Sequence, residues 1–154
     1  MRAETLVLAA IIVAGPSVAQ TAPSTDEADV TAAVTQYIDS NNKNDAKAAN
    51  AACAAQAVVI DSIAPYVWQG ASACRNWWND VEAYDAKNGI TDPTVTPDKR
   101  WMIDVSGDRA YVVVPVKYTY KQNGKLVTES AIWTFAEQKL PEGWRFTGLA
   151  WAQH

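Results

Sequence analysis

Asn123-Gly124 stands between two runs that alternate apolar and polar residues, and no other feature of the chain restricts its fold so tightly. Two residues tolerant of positive φ between alternating segments predict a β-hairpin closed by a type I′ turn. Such a turn sets the register: Gln122 faces Lys125, Tyr120 faces Val127, Tyr118 faces Glu129, Val116 faces Ala131, Val114 faces Trp133 and Val112 faces Phe135. The apolar residues of both strands then share one face. Upstream, from Thr94 onward, Trp101, Ile103 and Val105 alternate before a Ser106-Gly107-Asp108 turn. Downstream, Pro141 to Gly143 makes a turn and Trp144 to Ala152 forms the last strand. The second half of the chain is therefore read as an antiparallel sheet with one face to cover.

The cover comes from the first half, where the apolar period is near 3.6. Val30, Ala33, Val34, Tyr37 and Ile38 form one stripe of a helix running from about Asp26 to Asn41, with Asp26, Glu27 and Asp29 at its positive end. The Asn41 to Asp45 segment breaks that helix, and Asn44 or Asp45 can cap an Ala-rich second helix ending near Ala54. Ala57 to Asp61 reads as a short strand, Val67-Trp68 as extended, and Gly70 as the opening of a third helix. Its stripe is Cys74, Trp77, Trp78, Val81 and Tyr84, and Asn88-Gly89 ends it. The expected class is α+β: three N-terminal helices packed on a strongly curved, mostly antiparallel sheet.

Composition narrows the function. The 154 residues make one domain. Thirteen basic against seventeen acidic residues give a net charge of −4, and no basic run with interleaved aromatics occurs, which argues against nucleic-acid binding. Two Cys and one His cannot assemble a zinc site from nitrogen and sulfur ligands, and no metal or cofactor is assigned. Met1-Arg2, an apolar run from Leu6 to Ala14, Gly15-Pro16 and small residues Ser17 and Ala19 follow the pattern of a secretory signal peptide spanning residues 1–19. The run is too short to cross a bilayer. A polar lead-in, residues 20–25, precedes the folded domain, residues 26–154. The expected location is periplasmic or secreted, with no membrane contact after cleavage. An oxidising compartment would let Cys53 and Cys74, each placed on an apolar helical face, form a disulfide, while two separate buried thiols are the alternative.

The order of these elements resembles the nuclear transport factor 2-like superfamily, the cone-shaped fold of ketosteroid isomerases and SnoaL-like cyclases. The resemblance runs from about Asp26 to Gln153. It is carried by Val30 to Tyr37, the Asn-rich break ending at Asp45, Val58-Val59-Ile60-Asp61, Gly70, and Gly143-Trp144-Arg145-Phe146. In ketosteroid isomerases a helix Tyr and a strand-end Asp are catalytic, which the resemblance carries onto Tyr37 as oxyanion donor and Asp61 as general base. The second oxyanion donor, a protonated Asp, falls on Ala131, so the set is incomplete.

Register arithmetic adds Glu129, two residues from Ala131 on the same face with Tyr118 across from it, as a carboxyl able to move a proton. Each has a plainer role: Asp61 bonding turn amides, Tyr37 as core, Glu129 in a hydrogen bond with Tyr118. Trp77 and Trp133, with Tyr118, would line a hydrophobic pocket for an aromatic or polycyclic molecule. Three functions follow. They are an exported binder of small hydrophobic molecules, an isomerase, cyclase or dehydratase using Asp61 with Tyr37, and a structural or interaction domain filled by its own aromatics. The outer sheet face, with Tyr111, Val113, Pro115 and Ile132, is apolar enough to suggest a homodimer.

Overall fold

Val30, Val34, Tyr37 and Ile38 are all buried on one face of α1 (Thr25–Asn42), the first element of a computed structural model that describes residues 25–153. The expected signal peptide, the start of the lead-in and His154 lie outside the described residues. Asp45 caps α2 (Ala46–Ala51), its carboxylate accepting the Ala48 N–H at 3.0 Å. This helix stops short of the expected Ala54, because Cys53 already belongs to β1 (Cys53–Ile60). Cys53 is thus on a strand and not on a helical face. Pairing overrides the helix preference of the alanines here: Cys53 lies beside Phe146 in a parallel ladder, and the Phe146 N–H donates to Ala52 O at 2.9 Å.

β2 (Val67–Gly70) folds back on β1, and α3 (Ala73–Asn88) starts from Ser72 rather than from Gly70, which closes β2 at φ +92°. Gly89 ends α3 in the left-handed conformation, its N–H donating to Asp85 O. A side chain there would be strained by that φ of +65° and would also lie 2.2 Å from Asn123 Oδ1. The contact matters because the Asn123 N–H donates to Gly89 O at 2.8 Å, tying the hairpin tip to the end of α3. β3 (Ile90–Pro97) begins four residues before the expected Thr94, its register broken between Thr91 and Thr94. β4 (Met102–Ser106), β5 (Arg109–Gln122), β6 (Lys125–Leu140) and β7 (Gly143–Gln153) complete the chain.

The strand order is β2-β1-β7-β6-β5-β3, with β4 also on β5. Every pairing expected from the Asn123-Gly124 turn is present, from Gln122 with Lys125 to Val112 with Phe135. Val112, Val114, Val116, Ala131, Trp133 and Phe135 fill the concave face under the helices. Asn42, at the end of α1, is bonded twice to one backbone unit of β3: its amide N–H donates to Val95 O at 2.8 Å, and its carbonyl accepts the Val95 N–H at 2.7 Å. This side chain mimics a strand partner and holds α1 to the sheet edge. Cys53 and Cys74 form a disulfide with Cα atoms 6.6 Å apart, joining β1 to α3.

Candidate functional site

A cavity of about 340 Å³ opens at one end of the concave sheet, between the end of α1, the inner side of α3 and the hairpin end of β5 and β6. Trp77 and Trp78 reach it from α3, Tyr118 and Tyr120 from β5, Trp133 from β6 and Trp151 from β7. The rings meet at angles rather than in a stack. Trp133 stands nearly perpendicular to Trp151 at 5.3 Å between centroids, and Tyr118 meets Trp151 edge-on at 5.5 Å.

Polar side chains rim this aromatic wall in a connected run. Trp77 Nε1 donates to Asp61 Oδ2 at 2.8 Å, while the other Asp61 oxygen accepts the Ser62 backbone N–H. Ser62 Oγ lies 3.2 Å from Asp61 Oδ1 and 3.4 Å from Gln153 Oε1. Gln153 Nε2 donates to Glu129 Oε2 at 2.7 Å, and Tyr120 donates its hydroxyl to Glu129 Oε1 at 3.0 Å. The run joins the end of β1 to the hairpin strands. It also corrects one expectation: Tyr118 faces Glu129 in the ladder, yet the hydrogen bond comes from Tyr120. Tyr120 is two residues along the same face, a diagonal neighbour within reach of a long side chain.

Of the six candidate catalytic and ligand residues, Asp61, Trp77, Tyr118, Glu129 and Trp133 line this one cavity. Tyr37 does not. It is 1% exposed and packed edge-on to Trp133, Phe135 and Phe146 with centroids 5.0–5.9 Å apart, in the core rather than in the cavity wall. Burial raises its hydroxyl well above the ordinary range, a hydrogen bond with the Asn41 side chain offsets part of that, and the charge of Asp61 adds to it. Asp61 is more than a turn residue, because besides the local Ser62 amide it receives the indole N–H of Trp77 from another element.

Three carboxyls escaped the sequence reading, and the most exposed of them, Glu82 on α3, lines the cavity. Asp85 lines the cavity one turn beyond Val81, on the continuation of the α3 stripe. Burial, then the negative charges of Asp61 and Glu82, push its carboxyl up to about 6. Glu137 is 1% exposed on the concave face, and neither carboxyl oxygen has a hydrogen-bond partner among the described residues. Burial alone raises it to about 8. The hairpin register already held the signal for it, because the pairing that matches Val112 with Phe135 matches Ala110 with Glu137.

No protein-family model and no curated protein matches the chain. Solved structures do. It is similar to a ketosteroid isomerase-like protein from Erwinia carotovora atroseptica, with 17% identity over 84% of this chain and 96% of that one and a TM-score of 0.68. A nuclear transport factor 2-like superfamily protein from Salmonella enterica shares 18% identity over 84% and 91%, with a TM-score of 0.71. Hexachlorocyclohexane dehydrochlorinase LinA-type3 from Novosphingobium barchaimii shares 13% over 82% and 85%, with a TM-score of 0.70. At these identities the likeness is one of fold, and the chain has the nuclear transport factor 2-like, ketosteroid isomerase-like cone.

Proposed function

We propose that the chain is an exported protein that binds a small molecule with a hydrophobic or aromatic body in the cavity between α3 and the hairpin. The observation that carries this reading is the cavity itself: its volume falls within the range of ligand sites, and Trp77, Trp133, Tyr118 and Trp151 wall it with flat apolar surface. A domain filled by its own aromatics would leave no such space. Export is supported by the residue 1–19 pattern and by the Cys53–Cys74 disulfide, which persists in the periplasm or outside the cell. Native mass spectrometry of the protein purified from its exporting host should find a retained small molecule that leaves on collisional activation. If only the bare chain is found, and no apolar probe shifts the Trp77 or Trp133 indole signals, this reading fails.

The placement of Asp61 favours a second reading, proton-transfer catalysis of the isomerase or dehydratase type. Its carboxylate sits at the cavity edge in a fixed orientation, and one similar structure is a dehydrochlorinase by name. Two observations rank it below binding: Tyr37 is packed in the core, and Ala131 offers no donor. Turnover lost on Asp61→Asn with the fold intact would reverse that order.

We also propose that two copies pair through the outer sheet face. Tyr111 is 46% exposed there, and Val113, Pro115 and Ile132 are half-buried. Light scattering at micromolar concentration should give a dimer mass, and a monomer mass would exclude this pairing.

A further inference from the structure

Charge at the cavity is one-sided. Asp61, Glu82, Asp85 and Glu129 line it, and among the described residues no Lys, Arg or His does. Glu129 and Asp61 are engaged by neutral donors, from Tyr120, Gln153, Trp77 and Ser62, which orient the carboxylates without neutralising them. The carboxyl of Asp85, a half-buried residue, has no hydrogen bond or ion pair among the described residues. The carboxylates do not gather as metal ligands: among the described residues no group of three or more His, Cys, Asp or Glu could hold a metal ion.

A further feature points to a molecule in this space. Aromatic side chains from α3, β5, β6 and β7 line it, and a ring face attracts a cation through its quadrupole. A half-buried carboxylate without a donor beside these rings is complementary to a ligand that brings a positive charge.

We propose that the cavity takes an organic cation, a protonated or quaternary amine on an apolar or aromatic body, with its ammonium between the Asp85 and Glu129 carboxylates and the rings of Tyr118 and Trp151. This rests on the binding reading and narrows its ligand class. The body lies against Trp77 and Trp133. A neutral polycycle of the same size would leave the Asp85 carboxylate without a partner, and an anion would meet the repulsion of all four carboxylates.

The test compares three probes of nearly equal shape on the full chain above the pH at which Asp85 ionises. They are phenethyltrimethylammonium, its uncharged carbon isostere 3,3-dimethylbutylbenzene, and 3-phenylpropionate. Calorimetry gives affinity, and the Trp77 and Trp78 indole N–H signals report occupancy of the cavity. The cation should bind about tenfold or more tightly than the isostere, with the anion weaker still. Asp85→Asn, or Glu129→Gln should that variant misfold, should bring the affinity for the cation down toward that for the isostere. An isostere or anion that binds as tightly as the cation overturns the cation assignment and leaves the binding reading standing. If no probe moves either indole signal, both fail.

Discussion

Raising the pH from 5 to 9 should destabilise the folded chain by on the order of 3–5 kcal/mol, and Glu137→Gln should remove most of that loss. Glu137 is 1% exposed with both carboxyl oxygens unpartnered, and burial lifts its carboxyl from the ordinary 4.5 to about 8. Between those two values the folded protein holds a proton that the unfolded chain has released. Stability is therefore greatest below about pH 4.5 as far as this residue is concerned, falls steadily as pH rises, and levels off above about 8. The slope is about 1.4 kcal/mol per pH unit. Gln is equally polar and equally unpartnered, so it matches protonated Glu at acid pH and differs only where Glu would ionise. Urea unfolding of both proteins at several pH values checks this. Parallel curves for the two would mean that Glu137 is solvated or paired in solution.

Reducing the Cys53–Cys74 disulfide, or replacing both residues by Ser, should cost about 3 kcal/mol of stability, as expected from opening a loop of this length in the unfolded chain. The effect should concentrate at one place. Cys53 begins β1 where its ladder with β7 is irregular, and the register shifts between Cys53 and Val58. Without the disulfide the start of β1 keeps few ties to α3, so amide exchange should accelerate first in residues 53–57 and in the first turn of α3, ahead of the hairpin. Thermal melts with and without reductant, followed by exchange, decide it. An unchanged melting temperature would refute the prediction.

Different parts of this molecule were readable from the residues for different physical reasons. The hairpin was, because a two-residue turn dictates the parity of every pair beyond it, from Tyr118 with Glu129 to Val112 with Phe135. β1 was misjudged at its start because Ala52 to Gln56 shows no alternation, and the partner that makes it a strand is Phe146, more than half the chain away. The early start of β3 was hidden by Asp92-Pro93, which reads as a break but is accommodated as an irregularity, with Asp92 at φ +53°. In the site, residues on a clear stripe or a fixed register reached the cavity together. Tyr37 also lay on a stripe, and periodicity says that a side chain is buried without saying whether it borders a void. The charge of the cavity was hidden for another reason. Glu82 and Asp85 come from α3, Asp61 from beyond the end of β1 and Glu129 from β6, and only the folded chain brings them together.

The position of β7 bears on how the chain is made. It lies between β1 and β6, so a strand made after the other six occupies the middle of the sheet and joins β1 to the hairpin. Until Gly143 to Gln153 have emerged, β1 and β2 have no edge to dock on, and the hairpin lacks a neighbour along β6. The incomplete chain can form local helices and the hairpin but cannot close the cone, because closure waits on contacts distant in sequence. Because β7 is made after both strands it joins, the sheet stays open in the middle, with its two halves unconnected, until Gly143 to Gln153 are in place.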